Sequence, residues 1–188
     1  MKDSQDLEQR RREFVDAAEK LFKENGIVDT TVNSIVKELD VAKGLFYYYF
    51  KSKDDVIDAI SEKYNKDFRQ AIQRSLDPAN DFDDRLNGFI ENTIASFRVM
   101  WENLSGKNEN IDLTILSSRS LDEAKETAAK KLKELLEEGN ELHKTSVPNP
   151  DYYAKLLISG IADLASHTEA DLLEIKKIID NLIGKAGK

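Results

Sequence analysis

Five aromatic residues stand in a row at Phe46-Tyr47-Tyr48-Tyr49-Phe50, preceded by Lys43-Gly44-Leu45 and followed by Lys51 and Lys53. On a helix, where each residue turns 100°, five consecutive aromatics cannot all face one core. Phe46 and Phe50 share a face. Gly44, Leu45 and Tyr48 point the other way, with Lys43 and Tyr47 flanking one side and Tyr49 the other. An outer face of aromatics stays soluble only if it meets a partner. Gly44 lets a backbone approach closely. Tyrosine hydroxyls and the ammonium groups of Lys51 and Lys53 suit phosphate oxygens, so the chemistry on offer is contact with a nucleic-acid backbone and its base edges.

Other chemistries are poorly supplied. The 188 residues hold no Cys, which excludes a disulfide framework, a thiolate metal site and a Cys nucleophile. Two histidines, His143 and His167, are too few for a His-rich zinc site. There is no phosphate loop and no nucleophile motif, and the carboxylates are dispersed among Lys and Arg as on solvated helix faces. The chain is therefore expected to be no enzyme and to need no cofactor or metal.

Hydrophobic residues at 40% and charged residues at 34% indicate a globular chain. No apolar run reaches the length of a membrane span, and the first eight residues lack the apolar core of a signal peptide. A soluble, cytoplasmic protein without a membrane partner is expected. The net charge of −8 argues at first against nucleic acid. Its distribution changes that reading: residues 1–53 carry ten basic and ten acidic side chains, so the whole excess lies in residues 54–188. Any contact with nucleic acid belongs to the neutral N-terminal third.

The elements that must position these residues are helices. Pro and Gly are few, and Val, Ile and Thr form no alternating runs. A first helix is expected over residues 8–25, burying Phe14, Ala18, Leu21 and Phe22 and ended by Gly26. Thr30 and Thr31 offer caps for a second, with Val32, Ile35, Val36 and Leu39 as its stripe. After a short turn at Asp40, a third spans residues 42–50. Ser52 with Asp55 resembles a capping box opening a fourth, which runs to about residue 76 with Ile57, Ile60, Tyr64, Phe68 and Ile72 buried. A fifth, over 82–103, is expected to bury Leu86, Phe89, Ile90, Ile94, Phe97 and Trp101. After a loop at 105–108, a short helix over 112–118 and a longer one over 121–138, or as far as His143, follow. Pro148-Asn149-Pro150 is the clearest break. Two apolar helices, 151–167 and 169–185, close the chain. The expected fold is all-α, with about nine helices.

Helices two and three, joined by so short a turn, form a candidate helix-turn-helix, in which the second helix enters the major groove and the first crosses the backbone. An ordinary pair of core helices has the same geometry. Beyond geometry, the segment from about Arg10 to Ile60 resembles the DNA-binding domain of the TetR family of bacterial transcriptional regulators. The matching blocks are Ala17-Ala18-Glu19-Lys20-Leu21-Phe22, Asn25-Gly26, Thr30-Thr31-Val32, Ile35-Val36 and Lys43-Gly44-Leu45-Phe46-Tyr47-Tyr48-Tyr49-Phe50-Lys51-Ser52-Lys53. Their order and spacing agree over some fifty residues. The rest of the chain matches only in length and helical character.

The resemblance implies an N-terminal three-helix helix-turn-helix domain at 1–53 and a C-terminal helical effector-binding and dimerisation domain at 54–188. It implies a homodimeric repressor of a palindromic double-stranded DNA operator, released by a small-molecule effector. Thr31 would bind a phosphate through its hydroxyl or amide. Lys43, Gly44, Leu45 and Tyr48 would face the bases, while Tyr47, Tyr49 and Lys53 would hold phosphates. Arg10, Arg11 and Arg12 are either further contacts or a solvated run. Three positions depart from the family pattern. Asp40 stands where Gly is frequent, and Asp tolerates the left-handed region and can cap the third helix. Ala42 replaces a frequent Ser. Leu45 replaces a frequent Thr or Asn, leaving an apolar contact such as one to a thymine methyl.

In the body, the last two helices carry more apolar surface than one side of a small bundle needs. The resemblance implies that they pair with their copies in a four-helix bundle through Leu157, Gly160, Ile161, Leu164, Ile175, Ile178, Ile179 and Leu182. A plain monomer core is the competing reading. Tyr64, Phe68, Phe89, Phe97, Met100 and Trp101 are the residues available to line an effector pocket, which suggests an apolar or planar ligand, and each also suits an ordinary core. His143 and His167 can hydrogen-bond a polar effector or cap helices. A helical protein whose aromatic third helix binds another protein stays open as an alternative function.

Overall fold

The structure is a computed structural model of the chain and describes residues 2–104, 112–166 and 171–184, with residues 2–4 and 172 described by backbone alone. The expected loop at 105–108 and His167 lie outside the described residues. Among those residues the chain forms eight helices and no strand: α1 (Lys2–Asn25), α2 (Val32–Glu38), α3 (Lys43–Tyr49), α4 (Lys53–Ser75), α5 (Phe82–Leu104), α6 (Thr114–Glu141), α7 (Pro150–Ala165) and α8 (Leu172–Leu182). None of them is long and apolar enough to cross a membrane.

The all-α expectation holds, with one correction to the element list. The helices expected over 112–118 and 121–138 are one continuous α6. No Gly or Pro interrupts the stretch between them. Ser120, fully buried, spends its hydroxyl on Ser61 at 3.1 Å, and Arg119 pairs with Asp58 at 2.6 Å. A polar pair that reads as a loop in sequence is thus a tertiary contact on an unbroken helix. α1 likewise begins earlier than expected, because nothing before Gly26 stops a helix.

Helix ends follow local chemistry. Gly26 (φ +84°) closes α1 in the left-handed region, its amide donating to Phe22 O at 2.8 Å. Asp40 (φ 52°) does the same for α2. The amides of Asp40 and Val41 reach back to Lys37 O at 3.2 Å and Val36 O at 3.0 Å, the paired bonds of a Schellman motif. Asp40 therefore ends α2 and does not cap α3, whose N-cap is Ala42 with no side-chain hydrogen bond. His143 (φ 55°) ends α6 in the same manner and is exposed. α7 opens on Pro150 after Asn149, whose side chain accepts from the Tyr152 amide at 3.2 Å.

The chain packs as two units, Met1–Tyr64 with Asn103–Ser120, and Asn65–Glu102 with Leu121–Lys188. The expected domain limit at 53/54 lies inside the first unit. The first unit buries Phe14, Ala18, Phe22, Ile35, Phe46, Phe50, Val56, Ile57 and Ile60. The second buries Phe68, Ile72, Leu86, Phe89, Ile90, Phe97, Leu132, Leu136, Ile158 and Ile179.

Of the stripe expected on α5, Leu86, Phe89, Ile90, Ile94 and Phe97 are buried but Trp101 is 40% exposed. The stripe steps by three residues from Phe97 to Met100 and then by four to Leu104. That path leaves Trp101 off the buried face.

Candidate nucleic-acid interface

α3 is built from its anchored side outward. Phe46 and Phe50 of α3 are buried. Both rings meet Phe14 of α1 edge-on, at 5.8 and 6.3 Å between centroids, and each other at 5.7 Å. The Arg11 guanidinium lies 4.9 Å over the Phe50 ring and so packs against the core. Arg10 pairs with Glu13, and Arg12 turns back to Glu8 O at 3.4 Å. The arginine run is thus spent largely on its own helix.

With Phe46 and Phe50 inside, the opposite side of α3 faces solvent. Lys43 and Gly44 are exposed, and a Cβ on Gly44 would meet nothing within 4 Å. Tyr47 and Tyr48 are 51% and 67% exposed. Leu45 and Tyr49 are half-buried; Tyr49 stacks at 5.7 Å from Phe14 and edge-on at 4.9 Å to Tyr48. Four of the eight residues expected at DNA thus form one open face around α3, and two form its half-buried margin.

Thr31 sits at the start of α2, exposed, with an extended backbone. Its hydroxyl oxygen accepts from the Ser34 amide at 3.1 Å, and the Ser34 hydroxyl oxygen accepts from the Thr31 amide at 2.9 Å. This is a capping box with Ser in the role usually taken by Glu or Gln. The Thr31 amide is therefore already satisfied, and the Thr31 hydroxyl itself donates to Ser34 Oγ at 3.4 Å.

Lys53 makes contacts within the chain. It is half-buried, and its ammonium donates to Ile27 O at 2.6 Å and Thr30 O at 2.9 Å, with Val28 O at 3.5 Å. Nothing in the sequence signals these contacts, which join positions 23 to 26 residues apart. Lys51 remains exposed, while its amide donates to Asp55 at 2.7 Å. The Asp55 amide in turn donates to the Ser52 hydroxyl at 3.2 Å, so the expected cap at the start of α4 is formed. The Lys51 amide is the main reason the Asp55 carboxyl sits below its ordinary pKa.

Behind this face, α1 and α4 share a charged cluster. Glu19 accepts from Lys23 at 2.7 Å, from Lys63 at 2.9 Å and from the Tyr64 hydroxyl, and Lys63 also donates to Asp16 at 2.8 Å. Burial pushes the Glu19 carboxyl up, but the hydrogen bonds from Lys23, Tyr64 and Lys63 together outweigh it and the net shift is downward.

The residues expected at an effector pocket do not all fall together. Tyr64 belongs to the first unit, in the cluster just described. Phe68, Phe89, Phe97, Met100 and Trp101 belong to the second, where all but Trp101 are buried and the Phe68 and Phe97 rings meet at 4.8 Å. The expected dimer residues divide as well. Leu157, Ile161, Ile175 and Ile179 are buried within the single chain, whereas Gly160, Leu164, Ile178 and Leu182 are exposed. Tyr152, Leu156 and Leu173 extend the exposed apolar set, at 65%, 74% and 69%. Among the described residues no three His, Asp or Glu side chains gather as metal ligands do.

Comparison with known proteins bears on the same segment. Residues 14–60 match the family model of bacterial regulatory proteins of the tetR family. The HTH-type transcriptional regulator HbdR of Aromatoleum sp. (strain CIB) is 37% identical over 71 residues, 38% of this chain and 31% of that protein. The matched part thus spans about a third of the length of such curated relatives. Solved structures agree over nearly the whole chain. The fatty acid degradation regulator FadR from Bacillus halodurans has a TM-score of 0.69 at 21% identity, covering 93% of this chain and 94% of that one. SmeT of Stenotrophomonas maltophilia in complex with triclosan has a TM-score of 0.67 at 22% identity, covering 93% and 90%. At such identities the likeness is one of fold.

Proposed function

We propose that this chain, whose residues 14–60 match the TetR family model, is a DNA-binding transcriptional regulator of that family. It reads a palindromic operator as a homodimer, represses from it and leaves it when a small-molecule effector binds. The observation that carries this reading is the two-sidedness of α3. Phe46 and Phe50 hold the helix on Phe14, and Lys43, Gly44, Tyr47 and Tyr48 are turned to solvent. A cation, an open glycine and two tyrosines on one short helix suit the base edges and flanking phosphates of a major groove.

One helix-turn-helix makes few contacts, and a dimer doubles them at half-sites about 34–36 Å apart. The surface that supports self-association is the exposed apolar face of α7 and α8. Tyr152, Leu156, Gly160 and Leu164 follow one another every fourth residue along α7, all exposed, and α8 adds Leu173, Ile178 and Leu182. So much exposed aliphatic surface on two helices is unusual for a monomer. For the effector, the buried Phe68, Phe89, Phe97 and Met100 of the second unit favour an apolar or planar compound, in keeping with triclosan in SmeT.

Salt dependence tests the reading. Affinity for duplex DNA should fall linearly with salt on logarithmic axes, because each neutralised phosphate releases counterions. An aromatic surface that docks on a protein is far less sensitive. Binding to a protein partner at undiminished strength in high salt, with no retention of DNA at low salt, would replace this reading by that of an interaction module.

A further inference from the structure

Lys53 is the first residue of α4, where a cation opposes the helix dipole. Asp54 and Asp55 beside it are the residues that end of a helix favours. The position of Lys53 is explained by its acceptors. An ammonium has three protons. Two go to Ile27 O and Thr30 O at 2.6 and 2.9 Å, and the third side faces Val28 O at 3.5 Å. All three carbonyls belong to the connection between α1 and α2. The connection is held on other sides as well. Thr30 is buried and donates to Gly26 O at 2.8 Å, and the Ile27 amide donates to Asp112 O at 3.3 Å.

The carbonyl of Thr30 and the amide of Thr31 are two ends of one rigid peptide plane. Lys53 holds one end and Ser34 Oγ accepts from the other. The orientation of Thr31, the first residue of the helix-turn-helix to meet the backbone in the proposed complex, is therefore fixed through Lys53. We propose that Lys53 is a positioning residue for DNA binding: it sets Thr31 and the start of α2, and it makes no phosphate contact of its own. This inference rests on the reading of the chain as a DNA reader and departs from the role that the family resemblance gives Lys53.

The test uses the full chain and a labelled duplex selected by the wild-type protein from a random library, with affinity measured across a salt series. Lys53→Met should weaken binding roughly tenfold, the loss expected when bonds from a charged group are removed, and should leave the salt slope unchanged. A lost phosphate contact would lower the slope by about one, and that result overturns the proposal, as does unchanged affinity. Thr31→Val supplies a second readout. If Lys53 acts through Thr31, the double variant is no weaker than the worse single variant, whereas fully additive losses contradict it. Should Lys53→Met fail to fold, Lys53→Arg decides. It keeps the charge, but a planar guanidinium does not fit between carbonyls placed for an ammonium. Affinity should fall despite the retained charge, and full retention overturns the proposal. Absence of any DNA binding by the folded wild type would end the regulator reading itself, and this inference with it.

Discussion

The ring of Phe14 meets the ring of Phe46 edge to face, 5.8 Å between centroids and 83° between planes. Through this contact α1 fixes the rotation of α3 about its own axis, and with it the direction of every side chain on the outer face. Phe14 also touches Tyr49 and Phe50, so one side chain supports three of the eight residues from Lys43 to Phe50. Phe14→Ala should cost about 3–5 kcal/mol, as for other buried aromatics. Thermal unfolding measures that loss. DNA affinity should vanish over the same temperature range in which the first unit unfolds.

Tyr48 is the converse case. It is 67% exposed, so Tyr48→Ala should change stability by no more than about 0.5 kcal/mol. On a selected duplex it should cost about 1–3 kcal/mol and relax preference at one base position. Titrations against the selected and a scrambled duplex separate these effects. An equal loss on both would mean that Tyr48 meets the backbone and not a base.

Asp40 holds a left-handed backbone at φ 52° where its side chain gains no capping role at α3. Asp40→Gly should relieve about 1 kcal/mol of that conformational cost. A rise in melting temperature is expected, with DNA affinity unchanged because Gly keeps the same turn. Asp40→Val should move stability the other way.

Glu19 gives the first unit a pH dependence of known sign. Its folded pKa lies below the ordinary glutamate value, so the unfolded chain binds its proton more readily. The stability it contributes is fully present above the unfolded pKa of about 4.3 and is lost as pH falls through the folded value. Denaturant unfolding at a series of pH values should show a shallower acid-side loss in Glu19→Gln than in the wild type. Equal slopes would place the acid sensitivity elsewhere.

Two glycines inside helices should respond oppositely to alanine. A Cβ at Gly139 would lie 2.6 Å from Phe82 Cζ and from Thr145 Oγ1, so Gly139→Ala should destabilise by about 1–3 kcal/mol despite its better helix propensity. At Gly160 a Cβ meets nothing within 4 Å in the chain, so Gly160→Ala should stabilise the subunit by about 1 kcal/mol. Because Gly160 lies in the exposed apolar row of α7, the same change should weaken self-association. Sedimentation at several concentrations reads that second effect. A variant that is more stable and dimerises as tightly as wild type would remove Gly160 from the proposed interface.

The parts legible in sequence are those set by local chemistry. Gly26, Thr31, Ser52 and Pro150 mark helix ends because backbone geometry and first-turn hydrogen bonds depend on neighbours a few residues away. The inward and outward faces of α3 follow from the 100° step and the row of aromatics. What sequence leaves open is decided by distant partners. The ammonium of Lys53 reads as a free cation until the α1–α2 connection folds around it. Arg119 and Ser120 read as a loop until Asp58 and Ser61 arrive. Trp101 and Met100 are alternatives on one helix, and tertiary packing chose Met100. The same holds for α7 and α8, whose apolar residues divide between core and surface in a way that composition does not specify.

The central claim is that the outer face of α3 reads DNA in a twofold-symmetric pair. The direct test is selection of bound fragments from a random duplex library by the purified chain at low salt. The expected result is enrichment of a palindrome whose half-sites lie about one helical turn, or a multiple of it, apart. Recovery of no enriched sequence by a folded dimer would contradict it.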